Sequence, residues 1–368
     1  MPLFYNNPWD TFSTREFSWE AALVDNDEIT LETLRDLTSS RKLAVDVRTG
    51  HATDAATPGE RALAGLERYI PILEKVTQRV EISDEVNVEE RKKDAVSFHW
   101  NSPLGDNVAK PKFYQLRKLQ HERAMVLNLY AIAQRKRASE LVVGTQGAGS
   151  EAQAVEALQG AVTMFRRAAG VYDYLASTAL PPLKEGLAAD RPAELLASMA
   201  EVMSATSLAE AQAVAVHRAE LKRTSPKLVA SLHLGVGELF DTAVTRLRAA
   251  TGDFNDVAER LKKFIALGSS LHTARAYKAY AQQLKADGEV GQAIGILAKS
   301  RKHLQDCLAV LAQDDRWTPF VREEDTHLRE EEARCRKENE MVYFQSVPEI
   351  LPPLPPAKGI VSAIAFAP

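Results

Sequence analysis

Between Val155 and Leu175, apolar residues recur three or four positions apart, at Val155, Leu158, Val162, Phe165, Ala169, Tyr172 and Leu175. That spacing keeps one face of an α-helix oily for about six turns. A stripe this long is not stable in water alone, so the helix needs at least one facing partner. The flanking sequence supplies several. Leu119, Val126, Tyr130 and Ala133 share a face in the segment before it, which ends at Gly144, Gly147 and Gly149. After it, Met199, Val202, Thr206, Ala209, Ala213 and Val216 form a stripe of small residues suited to close helix contact, with Leu195 read as its first member.

Start and stop signals divide the rest. Thr57-Pro58-Gly59-Glu60 and Ser150 with Gln153 read as capping boxes, the first opening a helix that carries Leu63, Leu66, Ile70 and Leu73. Ser225-Pro226 starts a helix with a broad apolar stripe over 228–247. Two helices around 255–286 and 289–312, joined at Asp287-Gly288, include a tetratricopeptide-like hairpin over 276–304, without a strict repeat. A charged helix follows over about 320–341. The strand-like exceptions are 43–47, read as a short strand, and Val96, Phe98 and Trp100, which alternate with polar residues. The expected fold is therefore mainly α: an elongated solenoid-like body with a small N-terminal β-sheet. A mixed part (about 1–112), a helical core (113–341) and a proline-rich tail (342–368) make up one domain over 1–360 plus its packed tail. In that tail, Pro352 and Pro355 have the spacing read by polyproline-binding domains, and the alternative is a stiff strip laid along the helices.

Lys and Arg number 46 against 50 Asp and Glu, a net charge of -4, which argues against a dedicated nucleic-acid surface. Two cysteines suggest reduced thiols rather than a disulfide framework. No signal peptide opens the sequence, no apolar run spans a bilayer, and neither terminus carries a lipidation motif, so a cytoplasmic chain is expected. Catalytic signatures are missing. His121-Glu122 begins like a zincin helix, but Met125 stands where the second histidine belongs. The glycine-rich run 144–149 lacks the lysine of a phosphate loop and reads as an inter-helix turn. No metal, cofactor or small-molecule substrate is expected.

Several segments, in order, resemble the Bro-one domain family of Alix-like and PalA-like endosomal sorting adaptors. They are Phe98-His99-Trp100; the glutamate-led helix Glu122-Arg123-Ala124-Met125-Val126-Leu127-Asn128-Leu129; Phe165-Arg166-Arg167-Ala168-Ala169-Gly170; Leu208-Ala209-Glu210-Ala211-Gln212; and Asn339-Glu340-Met341-Val342-Tyr343 followed by Val347-Pro348. The resemblance implies a curved helical body and a stand-alone domain class similar to Brox. It also implies a non-enzymatic adaptor whose concave apolar groove holds the C-terminal amphipathic helix of an ESCRT-III subunit of the Snf-seven class, with recruitment to endosomal membranes through partners. Carried over in register, the groove positions are Ala215, Leu228 and Leu232. Ala215 departs from the aromatic residue found there in animal Alix. The sequence adds Leu239, since Leu228, Leu232 and Leu239 fall at i, i+4 and i+11 on the border of the stripe, leaving Val229, Val236, Phe240, Ala243 and Leu247 for the core. Val347 and Ile350 are expected at the groove edge. A scaffold of the same fold with a different signalling or membrane-protein partner is the alternative, and a helical enzyme without a motif is the third reading.

Overall fold

The computed structural model describes residues 2–6, 9, 11–23, 29–45, 56–84, 97–105, 111–184, 190–250, 252, 257–311 and 317–368. Ten α-helices occur among them: α1 (Trp19–Leu23), α2 (Leu31–Val45), α3 (Pro58–Asp84), α4 (Leu119–Gly144), α5 (Glu151–Tyr174), α6 (Ala197–Leu221), α7 (Pro226–Ala250), α8 (Glu259–Ala286), α9 (Val290–Leu311) and α10 (Thr318–Glu338). Each packs on the next in sequence, α2 on α3 through to α9 on α10, as short connections between long helices require. β1 (Phe98–Asn101) and β2 (Phe113–Leu116) pair antiparallel, with Trp100 opposite Tyr114.

Local chemistry accounts for most boundaries. The Thr57 hydroxyl accepts the Glu60 amide at 3.3 Å while the Glu60 carboxylate accepts the Thr57 amide at 2.9 Å, a complete capping box. At Ser150 only half of the box forms. Its hydroxyl accepts the Gln153 amide, but the Gln153 side chain turns to the Gly149 N–H. Gly288 joins α8 to α9 with φ +83°, a left-handed turn that a side chain would strain. Three readings of the sequence are corrected. Residues 43–45 close α2 instead of forming a strand, Asp46 and Val47 lying outside the described residues. Residues 113–116 are β2, so the helical body starts at Leu119. Leu195 belongs to a 3-10 turn (Ala193–Leu195) that precedes α6.

Three buried glutamates tie the N-terminal part to the helices. Glu122 on α4 accepts Arg41 Nε of α2 at 2.7 Å, Trp100 Nε1 of β1 at 2.6 Å and the Tyr69 hydroxyl of α3 at 3.3 Å. Glu194 accepts the Ser102 hydroxyl at 2.6 Å and the Leu104 amide at 3.0 Å, and burial pushes its carboxyl up to about 7. Glu210 on α6 accepts Arg135 of α4 and, at 2.8 Å, the Tyr5 amide. Beside Glu122, Phe12, Phe17, Trp19, Phe98 and Trp100 form aromatic contacts with ring centroids 4.3–5.4 Å apart.

Candidate functional site

Beyond α10 the chain makes one π-helical turn (Asn339–Tyr343) that ends at Phe344, whose φ is +52°. The Asn339 side chain holds this turn, accepting the Gln345 amide at 3.0 Å and donating to the Gln345 carbonyl at 2.8 Å. Residues 345–366 then run back without helix or strand over the array as a strap. The strap meets α9 at Gly291 and Gly295, α7 at Gly235 and α5 at Gly170. At each of these glycines a Cβ would collide with the strap, through Ser346, Leu351, Lys358 and Ile364 respectively. Missing side chains thus let an extended chain lie directly on helix backbone.

Hydrogen bonds fix the crossing. The Lys358 amide donates to the Ser231 carbonyl at 2.9 Å. The Gln212 side-chain amide donates to the carbonyls of Leu232 and Lys358, at 3.0 and 2.9 Å, and its oxygen accepts the Ile360 amide at 3.1 Å. Farther along, Ile364 donates to the Arg166 carbonyl, and Arg166 Nε donates to the Ser362 carbonyl at 2.7 Å. Phe366 ends between Tyr130 of α4 and Tyr174 of α5. Within the strap Pro355 is buried and Pro352 half-buried.

The strap divides the residues expected to form one groove. Leu228, Gly235 and Leu239 share a face of α7, and the strap crosses it at Ser231 and Gly235, between the two leucines. Leu232, expected on the border of the stripe, is 4% exposed and its carbonyl is held by Gln212. Ala215 is 5% exposed and belongs to a cluster of α4, α5 and α6 residues on which Val361 of the strap packs. Leu228 and Leu239 are half-buried. Val229, Val236, Phe240, Ala243 and Leu247 are all buried. Because α6 and α7 are antiparallel, Ala215 and Leu228 lie on one side of the strap and Leu239 on the other. Val347 and the 91% exposed Ile350 do not join either group, since Val347 packs over Gly295 on α9. They belong instead with Met341, Val342 and the 76% exposed Phe344, an apolar patch at the start of the strap.

A second feature was not legible in the sequence. His233 of α7 and His272 of α8, both buried, meet Nδ1 to Nδ1 at 3.0 Å. Such a bond needs one ring to donate and the other to accept. His233 Nε2 lies 3.3 Å from Glu220 Oε1, and His217 Nδ1 lies 3.5 Å from Glu220 Oε2. His217, Glu220 and His233 border a cleft of about 380 Å³, together with Arg275, Lys278 and Glu324. Burial holds both buried histidines below their ordinary value of 6.5. Against the upward push of its own burial, the bonds from His217 and His233 hold the Glu220 carboxyl well below the usual carboxylate range. The unfolded chain therefore takes up protons that the folded chain refuses. Stability is fully present above pH 6.5 and is lost as pH falls below it, by up to about 1.4 kcal/mol per histidine per pH unit. Urea denaturation at pH 7.5 and 5.5 checks this. The wild type should be the less stable at pH 5.5, and His233→Leu/His272→Phe should show a smaller difference. Equal pH dependence in both proteins would remove the histidine pair as its source.

His121, the start of the zincin-like pair, is buried with both ring nitrogens unpartnered, and burial pushes it down to about 4. Among the described residues, no three His, Cys, Asp or Glu side chains are arranged to hold a metal, and no helix is long and apolar enough to cross a membrane.

A body of paired helices, a two-stranded antiparallel sheet and a terminal segment folded back over the array define the class. The chain belongs to the BRO1-like domain family, whose model matches residues 20–367. Curated relatives include the BRO1 domain-containing protein BROX of Mus musculus, 25% identical over 198 residues (51% of this chain, 47% of that one), and of Homo sapiens, 25% identical over 212 residues (54% and 50%). The chain thus spans about half the length of the curated relatives it matches. Among solved structures it is similar to the ALIX BRO1 domain in complex with CHMP4C, with a TM-score of 0.71 and 18% identity over 97% of this chain and 94% of that one. It is also similar to a Bro1 domain described as a basis for endosomal targeting, with a TM-score of 0.67 and 15% identity over 96% and 91%. At these identities the structural likeness establishes the fold.

Proposed function

We propose that this chain is a non-enzymatic adaptor that takes the C-terminal amphipathic helix of an ESCRT-III subunit of the Snf-seven class into an apolar trough at Ala215 and Leu228. The observation that carries this reading is the half-buried Leu228 at the start of α7, on the same side of the strap as Ala215, in a fold shared with a domain solved in complex with CHMP4C. Leu232 is buried in the core, while Leu239 lies on the other side of the strap. Acting through such a partner, the protein would be cytoplasmic and drawn to endosomal membranes, with no nucleic acid, small-molecule substrate or cofactor involved.

The test is the anisotropy of a labelled peptide spanning the C-terminal helix of CHMP4C. Wild type should bind in the micromolar range, and Leu228→Asp should weaken binding at least tenfold, the cost of about 1.4 kcal/mol or more at an interface anchor. Leu228 is the better site than Leu232, because a charge at the buried Leu232 would unfold the protein. Equal binding by wild type and Leu228→Asp would end this reading. One observation favours the alternative of a different partner: the exposed patch at Met341, Val342, Phe344 and Ile350, which offers a second apolar surface.

A further inference from the structure

We infer that the strap is part of the partner site, forming one wall of the trough, and that the site selects an amphipathic helix with acidic residues flanking its apolar stripe. The inference rests on the proposed reading of Ala215 and Leu228 as a helix-binding surface, and adds an element and a charge preference to it.

The wall follows from where the strap lies. Its crossing is pinned by Gln212 and Ser231, and both positions are one helical turn from the proposed contacts: Gln212 is three residues before Ala215, and Ser231 three residues after Leu228. One turn advances about 5.4 Å, roughly half the diameter of a helix. A helix seated on Ala215 and Leu228 therefore lies against the strap. The strap presents apolar side chains there. Val361 is half-buried on the cluster that contains Ala215, and Ile360 is 49% exposed although its own amide is held by Gln212. An immobilised backbone carrying an exposed isoleucine loses little freedom on binding, which favours it as a contact.

Charge points to the kind of helix. The end of the α6–α7 pair that holds Leu228 carries exposed Lys222, Arg223 and Lys227, and the strap adds exposed Lys358. Glu220, the acidic residue at that end, is already shared by His217 and His233. Past the strap, α7 carries charges of both signs: exposed Glu238, Asp241 and Arg248, and half-buried Arg246. The end that holds Leu228 is thus the more basic of the two, and an incoming helix with acidic flanks fits it.

The experiment uses the whole 368-residue chain and the same CHMP4C helix peptide to compare wild type, Leu228→Asp, Ile360→Asp, Lys222→Glu/Lys227→Glu and Lys358→Pro/Ile364→Pro. The last pair removes the strap amides that donate to Ser231 and Arg166 without altering any helix. Thermal melts and hydrogen exchange over residues 357–366 report whether each variant folds and whether the strap has loosened. Weakening of at least about fivefold by Ile360→Asp, by strap release and by the charge reversal is the expected result. Binding within twofold of wild type for Ile360→Asp and the strap-release variant, with loss only in Leu228→Asp, would overturn the wall and leave the trough standing. Tighter binding on strap release would also overturn it, by making the strap a competitor. Unchanged or tighter binding after charge reversal would overturn the acidic preference. Failure of wild type to bind, or full binding by Leu228→Asp, would remove the trough and the inference with it.

Discussion

Replacing Glu122 with leucine should lower the unfolding free energy by about 3–5 kcal/mol, the usual cost of removing one member of a buried ion pair. The Glu122 side chain has no exposed surface and serves three elements at once, through the Arg41 guanidinium, the Trp100 indole and the Tyr69 hydroxyl. Leucine fills similar space but leaves a buried cation and an indole N–H without their acceptor. Arg41 keeps the Arg15 carbonyl, the Thr14 hydroxyl and the faces of Phe17, Phe98 and Trp100, none of which carries a negative charge. Urea denaturation measures the loss. Adding Arg41→Met to Glu122→Leu should recover much of it, because the stranded charge is then gone. A single-variant loss below about 1 kcal/mol would show that the pair is not what holds α2 and the sheet to α4.

Arg135→Met should cost a similar amount, with a pH dependence that identifies its cause. Glu210 is sealed against α4, where it accepts Arg135 at 2.7 and 3.1 Å and the Tyr5 amide at 2.8 Å. Burial pushes its carboxyl above the ordinary 4.5, against the opposing pull of Arg135 and the Tyr5 amide. Without the guanidinium that push is largely unopposed. The folded state then holds a proton more tightly than the unfolded state, so the variant keeps its stability at low pH and loses it as pH rises above 4.5. The deficit relative to wild type should reach about 3–5 kcal/mol at pH 7.5 and shrink at pH 5. A deficit independent of pH would mean that lost packing, and not a stranded carboxylate, is responsible.

These two glutamates show how much of the molecule was legible in its sequence. Both stand inside the segments that carry the family resemblance, and the helices around them were readable from stripes and caps, because a single helix face and its ends are local properties. Their partners were not readable. Arg41, Trp100 and Tyr69 are 81, 22 and 53 residues from Glu122, and nothing local marks a pairing over such distances. The same limit acted at the proposed site. Helical spacing put Leu228, Leu232 and Leu239 along one border of the α7 stripe, but spacing is blind to a distant segment laid across the helix. Leu232 is buried in the core, and residues 345–366 part Leu228 from Leu239. The signal that could have revealed this was the set of glycines on otherwise regular helices, at 170, 235 and 291, where close approach of another backbone is the physical reason for having no side chain.

The strap also sets a timetable for biosynthesis. Neighbouring helices can stack in the order in which they leave the ribosome, because each contacts mainly its immediate predecessor. The notches at Gly170 and Gly235 stay bare until residues 358–364 emerge, well over a hundred residues later for both. At the usual rates of roughly 5–20 residues per second, that leaves an interval of many seconds in which a nascent array is stacked but unlatched. During it, the oily surface around Ala215 is open to chaperones and to other unfinished chains.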